Sequence, residues 1–127
     1  MGTTIAERLD RLDPGRRPEL PETTGTIRLD VREDGRTEHW YLLIADQQVR
    51  VIRSAEDADL VVRADRRIFD RLAGGQDHVA ASLLRNDLTV HGNVGLLPML
   101  RRIFPGPAGA RHPRELGRAA VAGRDQR

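Results

Sequence analysis

The side chains able to do covalent or acid–base work are few in this 127-residue sequence, and they are scattered. No cysteine is present, which excludes thiolate nucleophiles, disulfides and thiolate metal ligands. The two serines, Ser54 and Ser82, stand outside any G-x-S-x-G context, and there is no H-E-x-x-H pair or phosphate-binding glycine loop. The four histidines (39, 78, 91 and 112) fall on a strand edge, a helix start, a turn and the C-terminal segment. A metal site built from His78 and His91 would need a defined ligand geometry that such dispersion does not supply. Glu38 and His39 look like an acid–base pair, but neighbours on a strand point to opposite faces. Asp57 and Asp59, spaced i, i+2, read as a solvated loop edge. The sequence predicts no enzyme, no cofactor and no metal.

What remains is the distribution of apolar residues. Aromatics make up 3% of the chain, namely Trp40, Tyr41, Phe69 and Phe104, so the interior must be aliphatic. Such an interior either closes tightly or lines a smooth space for an alkyl chain; it is poorly equipped to stack bases or flat cofactors. Every one of the 21 basic residues is Arg, as expected of a GC-rich genome. Residues 26–104 balance twelve Arg against twelve acids, whereas residues 105–127 carry five Arg against two acids. A neutral folded part argues against a nucleic-acid-binding face. The first fifteen residues lack the apolar region of a secretory signal, and no run reaches the length of a membrane span, which predicts a soluble, cytoplasmic protein.

The elements that would position these residues follow from periodicity. Thr4 is placed to cap a short helix over 5–12, and a Pro-containing linker follows. Residues 26–32 alternate apolar and charged side chains without a break, the signature of a strand with one buried and one wet face. Asp34-Gly35 is a hairpin turn, and 39–45 is apolar on both faces, hence a central strand. Further strands at 49–53 and 60–64 complete a predicted four-stranded antiparallel meander. The period then changes. Asp65 and Asp77 are predicted N-caps of two helices, the first burying Ile68, Phe69 and Leu72, the second Val79, Ala80, Leu83 and Leu84. Gly74-Gly75 separates them. A fifth strand, 88–91, leads through Gly92-Asn93 to a last helix over about 94–104, with Pro98 near its first turn.

This order predicts an α+β fold: a five-stranded, mostly antiparallel sheet with helices on one face. The last helix is apolar nearly all round, with Leu96, Leu97, Met99, Leu100, Ile103 and Phe104. Three readings are open for it: an ordinary core helix, a dimer interface, or a lid over a cavity for an apolar ligand, with Gly92, Gly95 and Gly106 as hinges.

Five features in this order carry a resemblance. They are the strand Thr26–Val31, then Trp40-Tyr41-Leu42, then Ala58-Asp59-Leu60-Val61-Val62, then Phe69–Gly75, and finally Leu88–Asn93 leading into Leu97–Phe104. Over residues 20–106 the chain resembles the sterol carrier protein type 2 family of nonspecific lipid-transfer domains, as a bacterial stand-alone member. The resemblance implies an apolar tunnel between sheet and helices that holds a lipid without making or breaking bonds. Two departures point away from sterol and toward a fatty acid, acyl-CoA, phospholipid or isoprenoid. Gln76-Asp77 stands where the common pattern carries lysine and proline, and Asp125-Gln126-Arg127 is no peroxisomal signal.

The predicted organisation is a short helix and linker (1–19), a lipid-binding domain (20–106) and an Arg-, Gly- and Ala-rich disordered tail (107–127). The expected tunnel lining is Leu29, Trp40, Leu42, Ile44, Val51, Val62, Phe69, Leu72, Val79, Leu83, Val90, Leu97, Leu100 and Phe104. Arg101 and Arg102 are the head-group candidates. The expected partner is a hydrophobic small molecule, with no nucleic acid and no stable membrane insertion. The alternative is an accessory module, dimeric or docked on a lipid-related enzyme, whose cavity is vestigial.

Overall fold

Thr4 starts the first helix, α1 (Ile5–Leu12), through a reciprocal capping box. The Glu7 N–H donates to Thr4 Oγ1 at 3.2 Å, and the Thr4 N–H donates to Glu7 Oε1 at 3.1 Å. The structure is a computed structural model that describes residues 3–12 and 24–107. The predicted linker beyond residue 12 and the tail beyond 107 lie outside the described residues.

β1 (Gly25–Glu33) and β2 (Arg36–Ala45) form an antiparallel hairpin. Asp34 and Gly35, at φ 52° and 76°, make the left-handed two-residue turn that Asp-Gly predicts. Asp46 and Gln47 build the same kind of turn without glycine, at φ 53° and 61°, and lead into β3 (Gln48–Arg53).

The predicted meander stops there. β4 (Leu60–Asp65) leaves β3 and pairs parallel with β1, so the sheet order is β3-β2-β1-β4-β5, with β5 (Thr89–Gly92) antiparallel at the far edge. Residues 54–59 hold no Gly and no Asn-Gly pair that would fold a tight hairpin. They instead cross the sheet on the face away from the helices. Arg28 Nη1 donates to the Ala55 and Glu56 carbonyls at 3.0 Å each, and Tyr41 Oη donates to the Asp57 carbonyl at 3.0 Å. Thr26 and Asp59 close the crossing by exchanging two hydrogen bonds, 2.9 and 3.1 Å. The sheet is therefore mixed but mostly antiparallel, within the expected α+β class.

The helices are short: α2 (Arg66–Ala73), α3 (Val79–Leu84), a 3₁₀ turn (Val94–Leu96) and α4 (Leu97–Ile103), with Pro98 in the first turn of α4. Helices of this length have no stability of their own in water, so packing against the sheet must hold them. Asp65 occupies the N-cap position of α2 without making a side-chain cap bond. Asp77, predicted as the next cap, is displaced from that role by His78. Its carboxylate sits between Arg71 Nε (3.0 Å) and Arg85 Nη2 (3.3 Å), which hold it outside the helix.

The predicted inward face of α3 is also corrected. Ser82 is fully buried with Val79, while Leu84 is 77% exposed. One residue turns a helix by about 100°, so Val79, Ser82 and Leu83 share a stripe from which Leu84 points away. Pattern alone favoured the larger side chain; the rotation of a six-residue helix against the sheet favoured the smaller.

Candidate functional site

Strand register sorts the sheet residues onto two faces. Ile27, Leu29 and Val31 of β1 pair with Leu42, Trp40 and Glu38 of β2, and on the other side with Leu60, Val62 and Ala64 of β4. Val49, Val51 and Arg53 of β3 and Val90 of β5 continue the same rows. This face meets the helices, and most of its apolar members are buried in the core.

The residues expected to line a tunnel fall in this layer. Leu29, Trp40, Leu42, Ile44, Val62, Phe69, Leu72, Val79, Leu100 and Phe104 belong to one continuous core, and Val51, Leu83, Val90 and Leu97 pack against it half-buried. Ile5, Leu9 and Leu12 of α1 join the same core. The α1 helix is tied down by Ile5 N–H donating to Asp70 Oδ1 (2.8 Å) and by Arg8 donating to the Ile103 carbonyl (2.7 Å). Leu96, Met99 and Ile103, the other apolar side of the last helix, are buried as well. Leu100 is 1% exposed, so Leu100→Asp would report on core stability rather than on a dimer surface. Arg101 is half-buried and Arg102 exposed in the last turn of α4, where cations favour the helix carbonyl end.

Three clefts among the described residues lie elsewhere. One, about 820 Å³, sits between the β1–β2 turn and the start of α2 and is lined by Arg32, Arg36, Arg66 and Arg67 with their acidic neighbours. A second, about 680 Å³, lies on the outer sheet face around Arg28, Arg63 and His91, and touches the expected lining only at Val90. The third, about 450 Å³, lies beside α1 and α2.

The outer face holds the feature that sequence reasoning missed. Asp30 lies on the face expected to be wet, yet it is 2% exposed. Its carboxylate accepts from Arg28 Nε (2.9 Å) and Nη2 (3.2 Å), from Arg63 Nε (3.1 Å) and from His39 Nδ1 (2.7 Å). An ionised carboxylate only accepts, so His39 carries its proton on Nδ1. Burial pushes the Asp30 carboxyl pKa up, but the hydrogen bonds from Arg28, His39 and Arg63 outweigh it and hold the group below the ordinary carboxylate value. His39 and Arg63 face Asp30 across the strands on either side. The alternating pattern shows which side Asp30 takes, not that a loop covers it.

Glu38 and His39 do point to opposite faces. Glu38 pairs with Arg53 (3.1 Å) and Arg66 (3.0 Å) on the helix side. Among the described residues no three His, Asp or Glu side chains group as metal ligands, and no helix is long and apolar enough to cross a membrane.

A mostly antiparallel five-stranded sheet with its aliphatic face under short helices defines an α+β domain. Residues 6–105 match the profile of the SCP-2 sterol transfer family, and the chain belongs to that family. No curated protein sequence matches it. Among solved structures it is similar to palmitated SCP2L2 from Aedes aegypti, with 19% identity, 88% of this chain and 100% of that one covered, and a TM-score of 0.65. It is also similar to sterol carrier protein 2 of the same insect in complex with palmitate (17% identity, 80% and 87% covered, TM-score 0.57). UbiJ-SCP2, a ubiquinone synthesis protein, superposes with a TM-score of 0.50 at 22% identity, covering 77% and 75%.

Proposed function

We propose that this protein binds one long-chain lipid between its sheet and helices and carries or presents it without covalent chemistry. The observation that carries the reading is membership of the SCP-2 sterol transfer family across residues 6–105. The aliphatic layer between sheet and helices supports the reading, because it is the apolar surface an acyl chain would join. Two similar structures, palmitated SCP2L2 and its palmitate-bound relative, hold a fatty acid on this fold, which favours an acyl chain as the ligand. Each methylene transferred from water contributes about 0.8 kcal/mol, so an acyl chain can offset the separation of core contacts that its entry requires. The helices are the part that yields, because each is too short to persist without its packing, whereas the sheet is cross-linked along five strands.

The test is native mass spectrometry of the purified protein, followed by analysis of its organic-solvent extract. A lipid at one-to-one stoichiometry is expected. An apo mass together with failure to take up a fluorescent fatty acid would sink the carrier reading, and a dimeric mass would then favour the accessory-module alternative.

Arg101 and Arg102 are proposed to act on approach rather than in the seated complex, since charges at or near the surface change association rates more than affinity. Replacing both by Glu should slow palmitate association several-fold at low ionic strength and have little effect in high salt. Stopped-flow rates that show no dependence on charge or salt would remove them from the binding path.

A further inference from the structure

Trp40 is 7% exposed on the helix-facing side of β2, between Leu29 and Arg53 in the sheet. Its indole Nε1 is buried and has no hydrogen-bond partner among the described residues. Buried tryptophan N–H groups ordinarily find an acceptor, and one left unpaired is costly. Ser82 Oγ is likewise buried without a partner, but a hydroxyl can rotate toward the carbonyl one turn back in its own helix. The indole has no such remedy. The Arg53 guanidinium lies over its ring at 3.9 Å, and Arg53 is in turn held by Glu38 at 3.1 Å. The ring itself is 7% exposed and packed in the core, and its N–H finds no acceptor there.

The position also suits a head group. Arg53 and Glu38 are well exposed, so the apolar layer reaches solvent at this end. From Trp40 the inward residues of β2 continue through Leu42 to Ile44, about 13 Å of apolar strand. An indole N–H only donates, so it selects a head group that accepts, such as a carboxylate, over an ammonium, which has no acceptor.

The geometry points to Trp40 as the internal anchor of the ligand: its indole N–H donates to a carboxylate oxygen of a fatty acid whose chain lies along β2. This rests on the lipid-binding reading and adds the ligand's head chemistry to it. Because Trp40 is the only tryptophan, a ¹⁵N-labelled sample gives a single indole N–H signal. The experiment titrates the delipidated chain with palmitate and, in parallel, with hexadecylamine, which has a tail of the same length and a cationic head. Palmitate is expected to move backbone signals of β2 and α4 and to shift the indole signal downfield, whereas hexadecylamine leaves the indole in place. Trp40→Phe, checked for folding by its amide dispersion, should bind palmitate about ten-fold more weakly. Should that variant fail to fold, the wild-type indole signal decides alone. Backbone shifts with an unmoved indole overturn the anchor and leave the lipid-binding reading standing. If palmitate moves no signal, that reading falls and the anchor falls with it.

Discussion

Replacing Asp30 by Ala is expected to cost about 3–5 kcal/mol, because it leaves the Arg28 and Arg63 guanidiniums without their buried counter-charge and the His39 N–H without its acceptor. Arg28, Arg63 and His39 all converge on this one carboxylate, whose side chain is 3% exposed. Arg28 also holds the crossing loop by its bonds to the Ala55 and Glu56 carbonyls, so the loss spreads to residues 54–59. For a chain of this size that corresponds to a fall in Tm of about 15 °C. A fall under 3 °C would mean that the loop is held by its own packing.

The pH dependence has a definite sign. The folded pKa of Asp30 lies below its ordinary value, so its stabilisation is complete above that value and is lost as pH falls through the folded pKa. Asp30→Asn removes the charge but keeps the shape. The Tm gap between wild type and Asp30→Asn should be widest near neutral pH and narrow as pH drops below about 4. A gap that stays constant down to pH 3 would show that charge at Asp30 is not what holds the outer face.

The second large effect is expected at Gly92, which stands where a hinge was predicted. At φ 114° it adopts a conformation that side chains rarely take, and a Cβ there would run into the Asp59 carbonyl oxygen, with Leu60 Cα at 3.3 Å. The next residue is locked in place, since Asn93 N–H donates to the same carbonyl at 2.7 Å. Gly92 is therefore a point of close backbone approach, clamping β5 to the start of β4 just ahead of the 3₁₀ turn and α4. Gly92→Ala should destabilise by about 3 kcal/mol or more, combining backbone strain with a forced shift of β4. The expected readouts are a Tm lower by at least about 10 °C and faster amide exchange over residues 94–104. Wild-type Tm with unchanged exchange would show that β5 is free to move there, as a hinge would be.

Much of this was legible in the chain itself. Alternation over 26–32, Asp34-Gly35 and the apolar run 39–45 determine a hairpin and the side that each of its residues takes, because a strand's period is two and a slip reverses every side chain. Thr4 with Glu7 determines the start of α1, and Gly74-Gly75 the end of α2, because capping is settled within a few residues. The two-residue turn carries the inward parity of Leu29 across to Trp40 and Leu42, whereas the run 60–64 left the parity of Val62 open.

What the tertiary structure decided is what lies against what. That β4 joins β1 rather than β3 depends on a crossing loop whose anchors, Thr26, Arg28 and Tyr41, are far from it in sequence. That Asp30 is buried depends on that loop and on Arg63, 33 residues away. That Ser82 turns inward and Leu84 outward depends on how a six-residue helix sits on the sheet. Periodicity fixes the side on which a residue lies; only long-range packing fixes what covers that side, and so whether a polar group there meets water, a charge or a ligand.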